Sequence, residues 1–428
     1  MMDRIANGAW LFGRFKRNPV KGPKMAFITG GTGSRFIAME LRQATHNAAY
    51  IIGTADSGGS TRALRLLFAM PAIGDFRSRL IDLADRSSPG YKETTALLNY
   101  RLPGESTPDI LEEELASIIN GSHPLIRAII ESEIAPNPLA RIIRHALHVF
   151  QTQRLIYEKT TGQTFDLRKA SIGNLFLAGS YFEYEKDLET PIFLYKQIAG
   201  VAGSVIPAML DIAHVAALMA DHSSLFGQHR ITASDCGPVK RLWYVDGEAP
   251  GSKVIQPAAN PGAIAALRDA KLIVFAMGSF YTSILSVLLI PEIAQVIRES
   301  SAPKILITNP VQDEETVGMR AGDFAAEVIK ALTREGESAD TKTYLTHILV
   351  NDPPGDLSFV SKYGGEFPFV DPDVSTIAGM GIETIRLPLL HKEGLKMLRN
   401  GTHMTQEQMS LLKKYDSSLL AKLLFSFV

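Results

Sequence analysis

Three short, mainly apolar runs, each closed by a loop of glycines and hydroxyls and then by an amphipathic stretch, constrain the fold of this chain most. The first is Met25 to Thr29, which runs into "GGTGSRF"; the second, Ala49 to Thr54, runs into "ADSGGSTR"; the third is "KLIVFAM", which ends in "GSFYTSIL". A continuous apolar run bounded by turn residues reads as a parallel strand covered on both faces. Strand, glycine loop and helix in repetition predict a doubly wound, Rossmann-like α/β fold with a mostly parallel sheet.

The helical partners carry matching signals. Ser34 is placed as an N-cap ahead of Ile37, Leu41 and Ala44, and Pro261 after Asn260 marks a helix start in "NPGAIAALRDA". "KILIT" and "HILVND" read as further strands. Between about residues 87 and 166 the strand signals stop, and "LEEELASIIN", "PLIRAII" and "PLARIIRHALHVFQTQRLIYEK" read as helices separated by prolines. We therefore expect a helical insertion there. Helical character continues through "SIGNLFLAGSYFEY", where Gly173 and Gly179 are costly unless something packs closely against them. From Val205 to Val245, "HVAALMADHSSLFGQH" reads as a hairpin over Asp221 to Ser224 and "RLWYV" as another strand, a small antiparallel patch. The division expected is a basic leader over 1–23, solvated and frayed, an α/β domain over 24–391, and a helical tail over 392–428 that begins near Thr402.

Composition removes several classes of function. The chain has 428 residues, 46% of them hydrophobic, and a formal net charge of −1, so no overall field draws in nucleic acid, and no basic stripe with interleaved aromatics appears. Cys236 is the single cysteine, which excludes an internal disulfide. The apolar centre of the leader, Ala9 to Phe12, is too short for a secretory core, and the apolar stretch near Tyr281 is broken by Pro291, short of the roughly 20 residues of a membrane span. A cytoplasmic protein with no membrane or nucleic-acid partner is the expectation.

The glycine loops carry the chemistry. A dinucleotide fingerprint would need glycine where Phe36 stands, and a P-loop would need a Gly-Lys-Ser/Thr ending. What the loops share is close backbone approach at Gly30, Gly31, Gly33, Gly58, Gly59 and Gly278, with hydroxyls at Thr32, Ser34, Ser57, Ser60, Ser279 and Thr282. Exposed amides at the carboxyl ends of parallel strands favour an anion such as a phosphate. If the first strand neighbours "KLIVFAM", their loops face one crevice, and a diphosphate fits there. Asp56 and Asp75 stand close by in sequence and can hold Mg²⁺ through oxygen ligands. Asp56 also suits the ribose-binding acid of a dinucleotide fold, and Asp75 an ordinary helix N-cap. Arg62, Arg65, Arg77 and Arg79 are phosphate clamps or solvated helix faces. His145 and His148 share a helix face without completing a metal set, and Glu112 to Glu114 read as a solvated face.

Taken in order, "GGTG", "ADSGGSTRALR", "PAIGDFRSRLIDLAD", "SIGNLFLAG", "NPGAIAALRDAKLIVFAMGSFYTSILSVLLIP" and "KILITN" resemble the signature segments of the CofD and YvcK superfamily. That superfamily includes a 2-phospho-L-lactate transferase and a nucleotide-sugar-binding gluconeogenesis factor. "RLPGE", "HPLIR" and "FDLRKASIGN" are most similar to the longer CofD-like proteins of the GAK system. The resemblance implies a nucleoside-diphosphate or nucleotide-sugar ligand, and the missing glycine at Phe36 counts against NAD. It puts phosphate contacts on Gly31, Thr32, Gly33, Gly278 and Ser279, with Asn174 approaching from its helix, Asn309 near the base or sugar, and Asp56 at the reacting end. It also suggests a homodimer. Two activities follow: transfer of a 2-phospholactate-type group to a hydroxyl with Mg²⁺, or nucleotide binding by a non-catalytic regulator. Ser57 departs from the second aspartate usual in YvcK-like chains, and deazaflavin-binding segments of CofD are not recognisable.

Overall fold

The computed structural model describes residues 2–87, 90–132, 138–234, 236–333, 340–352, 368–390 and 415–428. The chain divides into two compact units, the first made of Met1–Gly53, Ile206–Met209 and Ala213–Val428, the second of Thr54–Val205 with Leu210–Ile212. Helices account for the regular structure of the second unit from Gly59 to Ile198, so the helical region is wider than the 87–166 expected and begins directly after the second strand.

The strands are β1 (Met25–Ile28), β2 (Ala48–Ile52), β3 (Ser204–Pro207), β4 (His214–Met219), β5 (Ser224–Phe226), β6 (Val239–Val245), β7 (Val254–Ile255), β8 (Leu272–Phe275), β9 (Lys304–Ile307), β10 (His347–Asn351) and β11 (Glu383–Leu387). A seven-stranded sheet has the order β11-β10-β9-β8-β1-β2-β3, and β1 pairs in parallel with both β2 and β8, Met25 opposite Ala48 on one side and Leu272 on the other. Every residue of β1, β2, β8 and β9 is buried, which is why these runs lack polar alternation. The order reverses between β1 and β8. In an open α/β sheet such a switch point is where loops at the carboxyl ends of the strands splay apart and leave a crevice.

The antiparallel patch is a four-stranded sheet, β5-β4-β6-β7, with the hairpin over Asp221 to Ser224 as expected. Pro261 opens the helix Pro261–Asp269, and the Asn260 side chain accepts a 2.7 Å hydrogen bond from Gly262 N–H to cap it. The leader is not frayed: Met2–Lys16 is a helix whose Phe12 is buried, edge-on to Phe425 at 5.2 Å between ring centroids, on the helix Ser417–Phe425. Burying a phenylalanine in this way stabilises by roughly 1.5 to 3 kcal/mol, enough to fix a short terminal helix. The part of the tail expected to be helical from Thr402 lies outside the described residues until Tyr415.

Within the helical unit, Gly173 and Gly179 have the close neighbours their positions demanded. A Cβ on Gly173 would lie 2.5 Å from the Leu98 carbonyl oxygen, and one on Gly179 would run into that of Ala146. The Glu112 to Glu114 run is not solvated throughout. Arg154, almost fully buried, grips Glu112 bidentately at 2.6 and 2.7 Å, and Glu114 accepts a hydrogen bond from the Tyr100 hydroxyl. Partial burial pushes the Glu112 carboxyl up, but the hydrogen bonds from Arg154 and Gln151 prevail and hold it below its ordinary value.

Candidate functional site

In the first unit, the loops after β1 and β8 meet at the switch point. A Cβ on Gly33 would stand 2.6 Å from both Gly278 Cα and the Met277 carbonyl oxygen, so glycine is required there by the approach of two backbones. Gly278 sits at φ +152°, a conformation essentially reserved for glycine. Asn309, two residues past β9, behaves like a peptide group toward it. Its Oδ1 accepts from Gly278 N–H at 3.0 Å while its Nδ2 donates to the Gly278 carbonyl at 2.9 Å. Asn309 therefore pins the loop. Ser34 takes the N-cap position of the helix Arg35–Leu41 without a capping bond, its hydroxyl being paired with that of Thr29, and Ala44 falls beyond the helix end.

The amides of Gly31, Thr32, Gly33 and Ser279 find no hydrogen-bond partner among the described residues. Unpaired N–H groups in consecutive glycine-rich loops form a concavity suited to an anion. Phe36, where a dinucleotide fold would have its third glycine, is 39% exposed. Thr282 is turned away from this role, since its hydroxyl donates to Glu315 at 2.6 Å.

Glu315 was not singled out by the sequence, although it lies in the loop after β9 within "NPVQDEET". It is 1% exposed and also accepts from the amides of Tyr281 at 2.9 Å and Thr282 at 3.1 Å and from the Thr232 hydroxyl at 3.2 Å. Burial raises its pKa to about 7. Asp313, from the same loop, is also raised by burial, and its Oδ2 accepts from Asn309.

The second unit holds the remaining candidates. Asp56 accepts backbone hydrogen bonds from Gly58 and Ser57, and its pKa is raised because burial outweighs those bonds and the nearby Arg65. Arg65 does not point outward. Its guanidinium is buried and donates to the carbonyls of Ala55 at 2.8 Å and Asp56 at 2.9 Å, which fixes the loop that carries the carboxylate. Arg77 and Arg79 are buried as well, Arg77 with its pKa lowered by burial and Arg79 at 3.8 Å from Asp82, so neither is a solvated helix face.

Asn174, in the first turn of the helix Ile172–Glu183, donates to the Ser60 hydroxyl at 2.9 Å, and its buried Oδ1 has no partner among the described residues. Ser60 belongs to the first turn of the helix Gly59–Phe68, which starts at Gly59 with φ +51°. Gly74, which opens the helix Gly74–Leu83, abuts the Thr61 side chain, and a Cβ there would lie 4.0 Å from Asn174 Nδ2. Three helix starts thus converge on Asn174. Asp75 lies within the first turn of the third of these helices, with Ile73 at the N-cap position. No cluster of three metal-ligating side chains occurs among the described residues, so a Mg²⁺ ion would need phosphate oxygens or water beside Asp56. His145 faces Glu183 at 3.2 Å. No single helix among the described residues is long and apolar enough to cross a membrane.

A parallel sheet wound in both directions from β1, with glycine loops at its switch point and a helical second unit, defines a Rossmann-like α/β protein. The chain belongs to the CofD family: the family model described as 2-phospho-L-lactate transferase CofD matches residues 25–390. It is 25% identical over 391 residues to the gluconeogenesis factor of Bacillus subtilis, covering 89% of this chain and 95% of that one. It is 24% identical over 361 residues to an uncharacterised protein of Saccharomyces cerevisiae, covering 68% of this chain and 77% of that one. A crystal structure of a UPF0052 family member from Bacillus halodurans has the same fold, with a TM-score of 0.66 at 21% identity over 94% of this chain and 99% of that one.

Proposed function

We propose that this protein binds a nucleoside-diphosphate-linked ligand through its phosphates and transfers a phospho-acyl group of the 2-phospholactate type from it to a hydroxyl acceptor. The observation that carries the reading is the set of amides at Gly31, Thr32, Gly33 and Ser279 that find no partner among the described residues. They offer neutral donors that do not need a P-loop lysine, and phosphate is their natural partner. Gly30, Gly278 and Ser34 shape the same loops.

For the chemistry, Asp56 is the residue we assign to Mg²⁺, with Asp75 as the second carboxylate. A buried carboxylate whose ionised form is disfavoured gains most from a cation beside it. An ion held there would supply positive charge to a phosphate oxygen. The protein's own part is positioning: Arg65 and the amides of Ser57 and Gly58 hold Asp56, and Ser60 and Asn174 fix the adjacent helix starts. The acceptor oxygen bonds to the phosphorus of the transferred group, the nucleoside monophosphate leaves with the bonding pair, and the hydroxyl proton passes to water. Such transfer is mostly positioning and charge stabilisation.

The name gluconeogenesis factor borne by a relative of matching length favours a second reading, a nucleotide or nucleotide-sugar binding regulator. Two measurements separate them. GDP, UDP or a nucleotide sugar should raise the melting temperature and NAD should not; at a hundredfold excess over Kd the stabilisation is about 2.7 kcal/mol. With a nucleoside-diphosphate-linked phospholactate donor, Mg²⁺ and hydroxyl acceptors, released nucleoside monophosphate is followed by chromatography. Asp56→Asn should lower that release by about a hundredfold or more while changing nucleotide affinity only modestly. Tight, metal-independent binding with no release would establish the regulator instead.

A further inference from the structure

The loop after β8 is held from behind by an acid. Glu315 places one buried carboxylate against the amides of Tyr281 and Thr282 and the hydroxyls of Thr282 and Thr232, at 2.6 to 3.2 Å. Tyr281 and Thr282 lie in the first part of the π-helical turn Phe280–Leu285, two and three residues beyond Ser279, whose amide has no partner among the described residues. The first turn after β8 is therefore already occupied by a negative group that belongs to the protein. Any phosphate is confined to the amides ahead of it. An anion held at the amide of half-buried Ser279 lies two and three residues from the amides that buried Glu315 engages, and two negative charges on one turn raise each other's cost.

We propose that Glu315 is a positioning residue that links anion binding at the β8 loop to uptake of a proton, so that the loop grips a phosphate more tightly when Glu315 is neutral. This inference rests on the anion-binding reading of the β1 and β8 loops. The groups that face Glu315 support it. Asp313, in its own loop, adds negative charge, and Tyr281, on the turn it caps, is held neutral by burial and by Glu327, Glu315 and Asp323. The hydroxyls of Thr232 and Thr282 can accept as well as donate, so a protonated Glu315 can donate from Oε1 to one of them while Oε2 still accepts from the amides of Tyr281 and Thr282. Burial places its titration at about pH 7, where a small displacement changes its state.

The test compares wild type with Glu315→Gln, which keeps the shape and removes the charge. The first readout needs no ligand. A carboxyl at about 7 in the folded state and 4.5 in the unfolded chain makes the unfolded state the stronger acid, so wild type should lose stability relative to Glu315→Gln as pH rises through that interval and then level off. A difference that does not change with pH overturns the inference. The second readout is the affinity for UDP-glucose and GDP-mannose, whose diphosphate diesters keep a constant charge across this range. Wild type should bind more tightly at about pH 6 than at about pH 8, by about tenfold for each pK unit the anion adds to Glu315, and Glu315→Gln should be flat.

Equal pH dependence in both proteins refutes the coupling and leaves the anion site standing. If neither compound binds wild type at any pH, the anion-site reading fails and the coupling with it, whatever the stability readout. Glu315→Asp, which keeps the acid, should retain the pH dependence, and it replaces the glutamine variant should that one not fold.

Discussion

The switch-point loops of the first unit and the helical second unit solve the same problem, fixing irregular backbone, by different means. After β1 and β8 the work falls to backbone and neutral or acidic side chains: Gly33 lets two chains touch, Asn309 pairs with both polar groups of Gly278, and Glu315 caps the following turn. In the helical unit it falls to buried cations, with Arg65 on the carbonyls of Ala55 and Asp56 and Arg154 on Glu112. The contrast has a physical reason. A loop that must present amides to an anion cannot spend all of them on itself, so the side chains that hold it engage Gly278, Tyr281 and Thr282 and leave the amide of Ser279 between them. Helices satisfy their own amides, and the carbonyls left over in the connections call for donors, which arginine supplies in a rigid fork.

Gly33→Ala tests the first half of this contrast most severely. The new methyl meets backbone at 2.6 Å on two atoms, so one loop must move. Stability should fall by about 3 kcal/mol in a urea titration, and stabilisation by nucleotides should disappear with it. An unchanged nucleotide response in the folded variant would show that the two loops are not a joint anion site.

Glu112→Ala tests the second half. It leaves Arg154 buried with Glu158, at 3.5 Å, as its acidic partner among the described residues, and because 41% of the Glu112 side chain is exposed the expected cost is about 2 kcal/mol, below that of a fully buried pair. The sign with pH follows from the depressed carboxyl: its contribution is complete above 4.5 and is lost as pH falls through the lower folded-state value, so the variant's stability should be flatter in acid than that of wild type. A parallel acid response would mean that the pair contributes nothing.

Gly58→Ala should have the smallest effect. Gly58 has φ −83°, and a Cβ there would be no nearer than 3.8 Å to the Asp56 carboxylate. Less than about 1 kcal/mol should be lost, with nucleotide response intact. A cost equal to that of Gly33→Ala would erase the distinction between a glycine needed for packing and one that is merely tolerated.

Much of this architecture was legible in the chain. Uninterrupted apolar runs marked β1, β2, β8 and β9, and the condition that the first strand neighbours "KLIVFAM" is met by the register Met25 opposite Leu272. Pro261 after Asn260 marked its helix because an N-cap acts within three residues. Other features were not legible. Arg65, Arg77 and Arg79 look alike on paper to solvated arginines, Glu112 to a surface acid, and the leader to a loose end.

The sequence by itself determined the periodicities, the positions of the glycine loops and the family, because these depend on residues close together in the chain and on their order. Tertiary structure alone decided which glycines are needed and which charges are buried. Gly33 is constrained by Gly278, 245 positions later, Asn174 by Ser60, and Thr282 by Glu315. A side chain's environment is set by whatever the fold brings against it, and no local pattern encodes a partner that lies far along the chain.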